Sequence, residues 1–107
     1  MNTLIAYLRL LRPANIITAI ADICSGVTIG IYLCTPESYS PQFILPLVKL
    51  VLSTSCLYGG GVMLNDVADA EIDSIERPER PIPVGAASRN GAAITGLVLL
   101  TGGVYFA

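Results

Sequence analysis

Four polar side chains follow one another at helical spacing in the middle of this apolar chain: Asn65, Asp66, Asp69 and Asp73. Acidic residues are costly beside a membrane-spanning segment, so their presence there indicates a function. At about 100° per residue, the four side chains fall within an arc of roughly 100° on one face of a helix. Carboxylate and carboxamide oxygens are ligands that suit Mg²⁺, which commonly joins protein carboxylates to phosphate oxygens. The spacing therefore predicts a site for Mg²⁺ and a phosphate-bearing substrate.

The motif also has a purely structural interpretation. A helix that leaves the membrane often carries acids on its solvated face, and Glu71, on roughly the opposite side, fits that explanation. Four potential ligands on one face, followed directly by a loop rich in proline and arginine, favour the functional interpretation.

Two arginines of that loop, Arg77 and Arg80, are candidate substrate-binding residues. The prolines around them fix backbone angles and pre-order the loop, so the guanidinium groups can be presented to a diphosphate. The alternative is that these arginines pair with Glu76, Glu79 and neighbouring acids, or with lipid phosphates.

The composition is that of a membrane protein. Of the 107 residues, 53% are hydrophobic and 13% are charged, about half the usual share of charge in globular domains. The net charge of −2 and the lack of a basic run exclude a nucleic-acid partner. With no histidine, imidazole metal sites and histidine acid–base chemistry are excluded within this stretch. The three cysteines lie in apolar segments and are predicted to be small buried side chains.

The hydrophobic pattern predicts an all-α bundle with two membrane spans and the beginning of a third. The chain is predicted to form part of one membrane domain over residues 1–107. Its segments are an amphipathic lead, a first span, a second span, a polar segment with the motif and loop, and the third span: residues 2–12, 14–34, 43–64, 65–90 and 91–107. A turn with two prolines joins the first two spans at 35–42. Because the chain ends inside an apolar run, it is expected to be part of a longer protein.

The arginines predict the orientation of these spans. Arg9 and Arg12 precede the first span, whereas Arg77, Arg80 and Arg89 follow the second. The excess of basic residues on the cytoplasmic side of membrane proteins therefore places the N-terminus and the 65–90 segment at the cytoplasmic face of the inner membrane. Membrane lipids are expected partners.

The first span carries a stripe of small and polar residues within roughly 80° of a helical wheel: Asn15, Ala19, Asp22, Gly26 and Gly30. Such stripes serve close helix packing in lipid. Asp22 is either an acid that lines a pocket or pairs with a distant arginine, or an acid that ends close to water. Asn15 is a candidate substrate-binding residue at the level of the acidic motif, or else a helix cap.

The second span has two unusual features. Lys49 is predicted to extend toward the far membrane interface, with no assigned function. The glycine run Gly59–Gly61 is predicted to allow a kink or a close backbone approach.

Three stretches together resemble the UbiA superfamily of intramembrane prenyltransferases. Residues 65–73, N-D-V-A-D-A-E-I-D, match the first aspartate-rich motif of that family, N-D-x-x-D-x-x-x-D. Residues 80–85, R-P-I-P-V-G, resemble the R-P-I-P-S-G that follows it, with valine in place of serine. Residues 11–15, L-R-P-A-N, resemble the opening of the first helix. The amino-acid sequence of that helix, with Asp22, is also similar to that of the EboC-type branch of the superfamily.

The resemblance implies about nine transmembrane helices around a central cavity. It also implies Mg²⁺-dependent transfer of a prenyl or related lipid group from its diphosphate to an aromatic or similar acceptor. Asp66, Asp69 and Asp73 match catalytic positions and, with Asn65, the positions that hold Mg²⁺. In the family a second aspartate motif on a later helix completes the site, so this fragment alone is predicted to be inactive.

Two other classes of function remain open from the sequence. In a membrane transporter or a non-catalytic lipid-handling protein, Asp22 and the acidic face would bind a cation or a proton. In a lapsed member of the family, the same residues would serve a scaffold. A second D-x-x-x-D motif downstream would favour the enzyme, and inverted repeats with broken helices would favour the transporter.

Overall fold

The computed structural model describes residues 2–34 and 41–107, and every regular element within them is helical. The prediction of an all-α chain is therefore confirmed. The elements are five α-helices and one 3₁₀ turn: α1 Thr3–Leu11, α2 Pro13–Cys34, the 3₁₀ turn Pro41–Phe43, α3 Ile44–Ala68, α4 Ala70–Glu76 and α5 Arg89–Phe106. Of the predicted turn at 35–42, only the last two residues lie inside the described ranges, and they begin the 3₁₀ turn.

The break between α1 and α2 follows from local chemistry. Asn2 caps α1, because its side-chain oxygen accepts a hydrogen bond of 3.1 Å from the Leu4 N–H. Arg12 ends α1 in the left-handed region, with φ of 50°. Pro13 then begins α2, since its fixed φ suits the first helical position and its missing N–H would have no partner there.

Two helical stretches of the described chain are long and apolar enough to cross a membrane: Thr3–Leu33, which includes the break at Arg12, and Pro41–Ala68. The 22 residues of α2 extend about 33 Å, slightly more than the hydrocarbon thickness of a bilayer. The shorter α5 occupies the predicted third span but is not one of these two stretches.

The polar segment is more helical than the sequence predicts. A fourth helix continues the motif as far as Glu76, and α5 begins at Arg89 instead of 91. The irregular loop is therefore residues 77–88. Ser88 sets the start of α5, because its hydroxyl accepts a hydrogen bond of 3.0 Å from the Gly91 N–H.

Helices α3 and α5 run antiparallel with their backbones very close together. A Cβ atom on Gly60 would lie 2.8 Å from the carbonyl oxygen of Gly96. A Cβ atom on Gly103 would lie 2.5 Å from Leu57 Cγ, and the Ser53 hydroxyl donates a 2.7 Å hydrogen bond to the Gly103 carbonyl. Small residues and a hydroxyl at the contact are typical of helix pairs in membranes.

The glycine run on α3 accounts for part of this contact. Gly59 and Gly60 are both buried, and an added Cβ on Gly59 would lie 2.9 Å from the Leu11 side chain. Gly61 faces open space. Of the two predicted uses of the run, close approach therefore applies to its first two members, and α3 continues as one helix through all three.

The buried core lies at one end of the molecule, next to the acidic motif. It joins α1, the end of α3, the loop and the start of α5 through five buried side chains: Ala6, Leu10, Met63, Ala87 and Ala92. We call this region, with α4, the motif end. Burial is concentrated here because the loop after α4 folds back over the end of α3, and its Ala87 packs into the core.

The opposite end of the molecule is open. The second half of α2, the 3₁₀ turn and the start of α3 line an apolar groove of about 610 Å³, with Val27 and Ile31 on one side and Leu47 and Leu50 on the other. We call this region the distal end. The side chains of α2 that face the groove are not those of the predicted packing stripe.

The predicted packing stripe of α2 has no partner within the described chain. Asn15 and Asp22 are exposed, Ala19 is half-buried, and an added Cβ on Gly26 or Gly30 would meet no atom within 4 Å. The expectation that this stripe packs is therefore not met here, because α2 turns a different face toward α3.

Candidate functional site

The acidic motif crosses the junction between α3 and α4. Asn65 and Asp66 lie in the last turn of α3, Asp69 joins the two helices, and Asp73 lies in α4. Asp69 has ψ of −1° instead of a helical value, so the path bends slightly while the amide of Asp69 still bonds to the carbonyl of Asn65 at 2.9 Å. The motif is thus two helical pieces and not the single regular helix that the spacing predicts.

The four side chains of the motif lie in two environments. Asp66 and Asp73 point into the protein and are only 6% and 5% exposed, whereas Asn65 is exposed and Asp69 is half-buried. A buried carboxylate requires a charged partner or several hydrogen bonds, because its loss of hydration is costly. The partners of these two acids therefore define the site.

Arg80 is the partner that the two buried acids share. Its Nη1 atom donates hydrogen bonds to Asp73 Oδ2 at 2.7 Å and to Asp66 Oδ1 at 3.1 Å. The acids belong to different helices, so one guanidinium group fixes α4 against the end of α3. The sequence predicts Arg80 as a residue of the site, and the structure brings it to the motif.

The loop is folded so that Arg80 faces inward. The Arg80 amide bonds to the Arg77 carbonyl at 3.1 Å, and the Arg80 carbonyl accepts from the Val84 amide at 3.1 Å. Gly85 then takes φ of +77°, a conformation that glycine adopts without strain, and the Ala87 amide bonds to the Pro81 carbonyl at 3.0 Å. This chain of turns gives the R-P-I-P-V-G segment a defined shape.

A second arginine reaches the same acid from the other side of the site. Arg12 Nη2 donates to Asp66 Oδ1 at 2.9 Å, across 54 positions of sequence. The sequence indicates Arg12 only as a charge that sets orientation and as part of the L-R-P-A-N stretch. The sequence feature that could have drawn attention to Arg12 is its position at a helix break, directly before Pro13. No neighbouring residue indicates that its partner is Asp66.

The two remaining motif residues pair with each other. The Asn65 side-chain amide donates to Asp69 Oδ2 at 2.9 Å, one helical turn away. The acid–arginine cluster, which we define as Arg12, Asp66, Asp73 and Arg80, therefore has an exposed neighbour in the Asn65–Asp69 pair.

Two predicted substrate-binding residues stay apart from this cluster. Asn15 and Arg77 are both exposed, and in the described part of the chain neither side chain hydrogen-bonds to a motif residue. Glu71 lies on the outer side of α4 and pairs with Arg89 at 3.2 Å, also at the surface. Only Arg80 of the two loop arginines contacts the acids.

The motif supplies the oxygen donors that Mg²⁺ prefers, so the residue types fit that metal. In the described ranges, however, no three acidic, histidine or cysteine side chains lie together closely enough to hold a metal ion. Arg12 and Arg80 bond to one carboxylate oxygen of Asp66, and Arg80 also bonds to one of Asp73. The metal-binding roles of Asn65, Asp66, Asp69 and Asp73 stay a prediction.

Apolar helices that end in a buried acid–arginine cluster define a helical protein with long apolar segments and a group of paired charges at one end of them. The UbiA prenyltransferase family matches residues 23–107. The chain belongs to that family, and the resemblance seen in its motifs is confirmed. Family membership and the two apolar stretches together indicate an integral membrane protein.

Three curated relatives of the chain carry the name digeranylgeranylglyceryl phosphate synthase. The protein from Methanoculleus marisnigri is 39% identical over 103 residues, 95% of this chain and 33% of the relative. That from Sulfolobus acidocaldarius is 36% identical over 99 residues, 92% of this chain and 33% of the relative. That from Thermococcus gammatolerans is 40% identical over 104 residues, 95% of this chain and 34% of the relative.

The chain thus spans about a third of the length of the curated relatives it matches. No solved structure matches it significantly. The similarity to the EboC-type branch is not tested by these relatives and stays a prediction.

Proposed function

We propose that the full-length protein transfers a prenyl group from its diphosphate to an acceptor within the membrane, with Mg²⁺ at the acidic motif. The observation that carries this proposal is the cluster itself: two buried carboxylates and two guanidinium groups at the end of an apolar helix in a UbiA family chain. Such a cluster combines groups that bind a divalent cation with groups that bind phosphate oxygens.

The chemistry needs both kinds of group. A diphosphate leaves readily only when its developing negative charge is neutralised, and a bound Mg²⁺ supplies that neutralisation. Asp66, Asp69 and Asp73, with Asn65, are the residues proposed to hold the metal. Arg80, already oriented by its loop, is placed to donate hydrogen bonds to the diphosphate, and the surrounding apolar helices keep water from the reactive allylic carbon. Arg77 and Asn15 are proposed to contact the substrate from the exposed side.

The names of the relatives narrow the acceptor. The product in their name is a glyceryl phosphate with two geranylgeranyl groups. We therefore propose a glyceryl phosphate lipid as acceptor and a geranylgeranyl group as donor, in preference to the aromatic acceptor that the family resemblance implies. The arginine content at the site supports an anionic acceptor, because guanidinium groups bind phosphate in a bidentate manner.

The proposed location is the cytoplasmic side of the cell membrane. Arg9 and Arg12 before the first span, and Arg77, Arg80 and Arg89 after the second, lie at the same end of the molecule as the motif, as the positive-inside rule requires. Soluble Mg²⁺ and the diphosphate product then exchange with the cytoplasm.

The test is a prenyl-transfer assay with full-length protein in membranes, with geranylgeranyl diphosphate as donor, glyceryl phosphate lipid or aromatic acceptors, and with or without Mg²⁺. Asp69→Asn is the informative variant, because it removes a motif charge that no arginine holds. We expect a loss of about 10²–10³-fold in turnover, the usual effect of removing one group that stabilises transition-state charge. Glu71→Gln, two residues further along at the surface of α4, is the matched control and should retain activity.

Each alternative function gives a distinct result in this assay. Full Mg²⁺-dependent turnover by Asp69→Asn would reject the proposed role of the motif. Absence of transfer with every acceptor, together with cation-dependent uptake into vesicles, would favour the transporter, in which exposed Asp22 would be the first residue to replace. Transfer to the aromatic compound alone would correct the acceptor and leave the reaction class intact.

A further inference from the structure

We propose that Arg12 is an exchangeable counter-ion of the motif: its guanidinium pairs with Asp66 in the ligand-free protein and moves to a phosphate oxygen when metal and a phosphate-bearing ligand bind together. This inference rests on the proposed function and assigns a ligand-binding role to Arg12, which neither the aspartate motif nor the names of the relatives assign.

The first argument is the balance of charge. Asp66 and Asp73 carry two negative charges, and Arg12 and Arg80 carry two positive charges within 2.7–3.1 Å of them. The cluster itself is therefore neutral. Of the motif side chains, only Asp69 in the neighbouring pair adds a negative charge that no arginine of the described ranges matches. Both arginines bond to the same Oδ1 atom of Asp66. A divalent cation held by this carboxylate therefore lies beside two guanidinium charges, and their repulsion favours release of one of them.

The second argument is that Arg12 is held more weakly than Arg80. Arg12 makes one hydrogen bond to the acids and its side chain is 38% exposed. Arg80 bridges both acids, its side chain is 23% exposed, and its backbone is fixed by turns on both sides. A more exposed ion pair contributes less free energy. Breaking the pair of Arg12 with Asp66 therefore costs less free energy than breaking the pairs of Arg80.

The third argument is that Arg12 cannot move far when it leaves. Its backbone is fixed in the left-handed region, Pro13 follows with a fixed φ, and its carbonyl accepts hydrogen bonds from the amides of Asn15 and Ile16 at 3.0 and 3.3 Å. Its neighbours Leu10 and Leu11 belong to the core at the motif end. Only the side chain is free to rotate, so its guanidinium stays within reach of any ligand held by the motif.

A thermodynamic consequence follows from these three observations. Metal alone displaces Arg12 without giving it a new partner, whereas metal with a phosphate ligand supplies one. The two ligands must therefore bind with positive coupling, and the coupling must be reciprocal. Removing the Arg12 charge should strengthen binding of metal alone and weaken its coupling to phosphate.

The experiment is a titration of full-length protein with Mn²⁺, in which electron paramagnetic resonance measures the concentration of free Mn²⁺. The titration is run with and without inorganic pyrophosphate, and bound Mn²⁺ is compared at equal free Mn²⁺. For Arg12→Gln we expect Mn²⁺ alone to bind about tenfold more tightly than in the wild type, within the usual range of coupling between sites. The gain in Mn²⁺ affinity on adding pyrophosphate should fall by a similar factor. Arg9→Gln is the control, because Arg9 precedes the same break but is exposed and makes no ion pair in the described ranges.

A second arm of the titration replaces pyrophosphate with glycerol phosphate. If Arg12→Gln lowers the coupling of Mn²⁺ to pyrophosphate but not to glycerol phosphate, Arg12 binds the leaving diphosphate. If it lowers the coupling to glycerol phosphate but not to pyrophosphate, Arg12 binds the acceptor. Either result supports the proposal.

The result that overturns it is wild-type Mn²⁺ affinity and wild-type coupling in Arg12→Gln. If that variant does not fold, Arg12→Met decides, because it also removes the charge but keeps a long unbranched side chain. Wild-type Mn²⁺ affinity and wild-type coupling in Arg12→Met would reject the proposal. Wild-type protein that binds neither Mn²⁺ nor pyrophosphate would instead count against the proposed function itself.

Discussion

The two ends of this molecule are built differently. The motif end combines the buried core, the acid–arginine cluster and a loop fixed by backbone hydrogen bonds. The distal end is an open apolar groove between α2 and α3 whose large side chains, such as Leu50 and Tyr32, are exposed. The chain therefore contains the core and the ion pairs that hold the acidic motif in place. Its distal end, by contrast, has an apolar surface that needs lipid or further helices to cover it.

The largest expected effect tests the cluster. Arg80→Gln removes the guanidinium group that neutralises Asp66 and Asp73 together, so the free energy of unfolding of the motif end should fall by about 3–5 kcal/mol. Denaturant unfolding of the protein in detergent micelles measures it. Arg77→Gln, an exposed neighbour in the same loop, should change the free energy by less than about 0.5 kcal/mol. Equal effects of the two variants would contradict the assignment of Arg80 as the bridge.

The next effect compares apolar packing at the two ends. Met63 is 0% exposed in the core of the motif end, and its replacement by alanine should lower the free energy of unfolding by about 2–5 kcal/mol. Leu50, which is 46% exposed at the groove, should lose far less on the same replacement. A large loss at Leu50 in the full-length protein, measured by the same unfolding experiment, would reveal a helix packed over the distal end.

A smaller effect compares two glycines in the same way. Gly60→Ala places a methyl group 2.8 Å from the Gly96 carbonyl oxygen, so α3 and α5 must separate, at about 1–3 kcal/mol. Gly30→Ala, on the exposed face of α2, meets no atom and should be neutral or slightly stabilising. Circular dichroism during heating measures the unfolding temperature of each variant. Equal unfolding temperatures for the two variants would contradict the difference in packing between these two sites.

The smallest effect lies inside the motif end. Glu71 and Arg89 form an ion pair at 3.2 Å, but Glu71 is 84% exposed. Glu71→Gln should therefore change the free energy of unfolding by no more than about 0.5 kcal/mol, and less at high salt. A change comparable to that of Arg80→Gln would show that surface charge, and not the buried cluster, stabilises this end.

Much of the fold follows from local sequence. Pro13 marks the start of α2, the apolar runs mark the long helices, and the aspartate spacing marks the motif, because each depends on residues within a turn or two of one another. The continuation of the helix through Glu76 was missed, since the acidic and polar composition of 74–76 resembles a loop.

The arrangement of the site could be predicted only in part. The sequence identifies Arg80 as a site residue, and a helical wheel places Asp66 and Asp73 within roughly 20° of each other, apart from Asn65 and Asp69. The wheel does not tell which of the two pairs turns inward, because that depends on what packs against the helix. The contact between Arg12 and Asp66 joins residues 54 positions apart, and no local pattern encodes such a pair. The stripe on α2 shows the same limit, since a wheel gives a face and not the partner of that face.

The contact between α3 and α5 has a consequence for how the two helices are aligned. Its small residues recur at an interval of seven, Ser53 and Gly60 on one helix and Gly96 and Gly103 on the other. A slide of two helical turns, about 10.5 Å, would bring Gly96 opposite Ser53, but it would leave Gly60 opposite Arg89 and Gly103 opposite Pro46. The repeat therefore allows full contact of small residues at one alignment, and the position of Gly91 against Tyr7 at the start of α5 belongs to that same alignment.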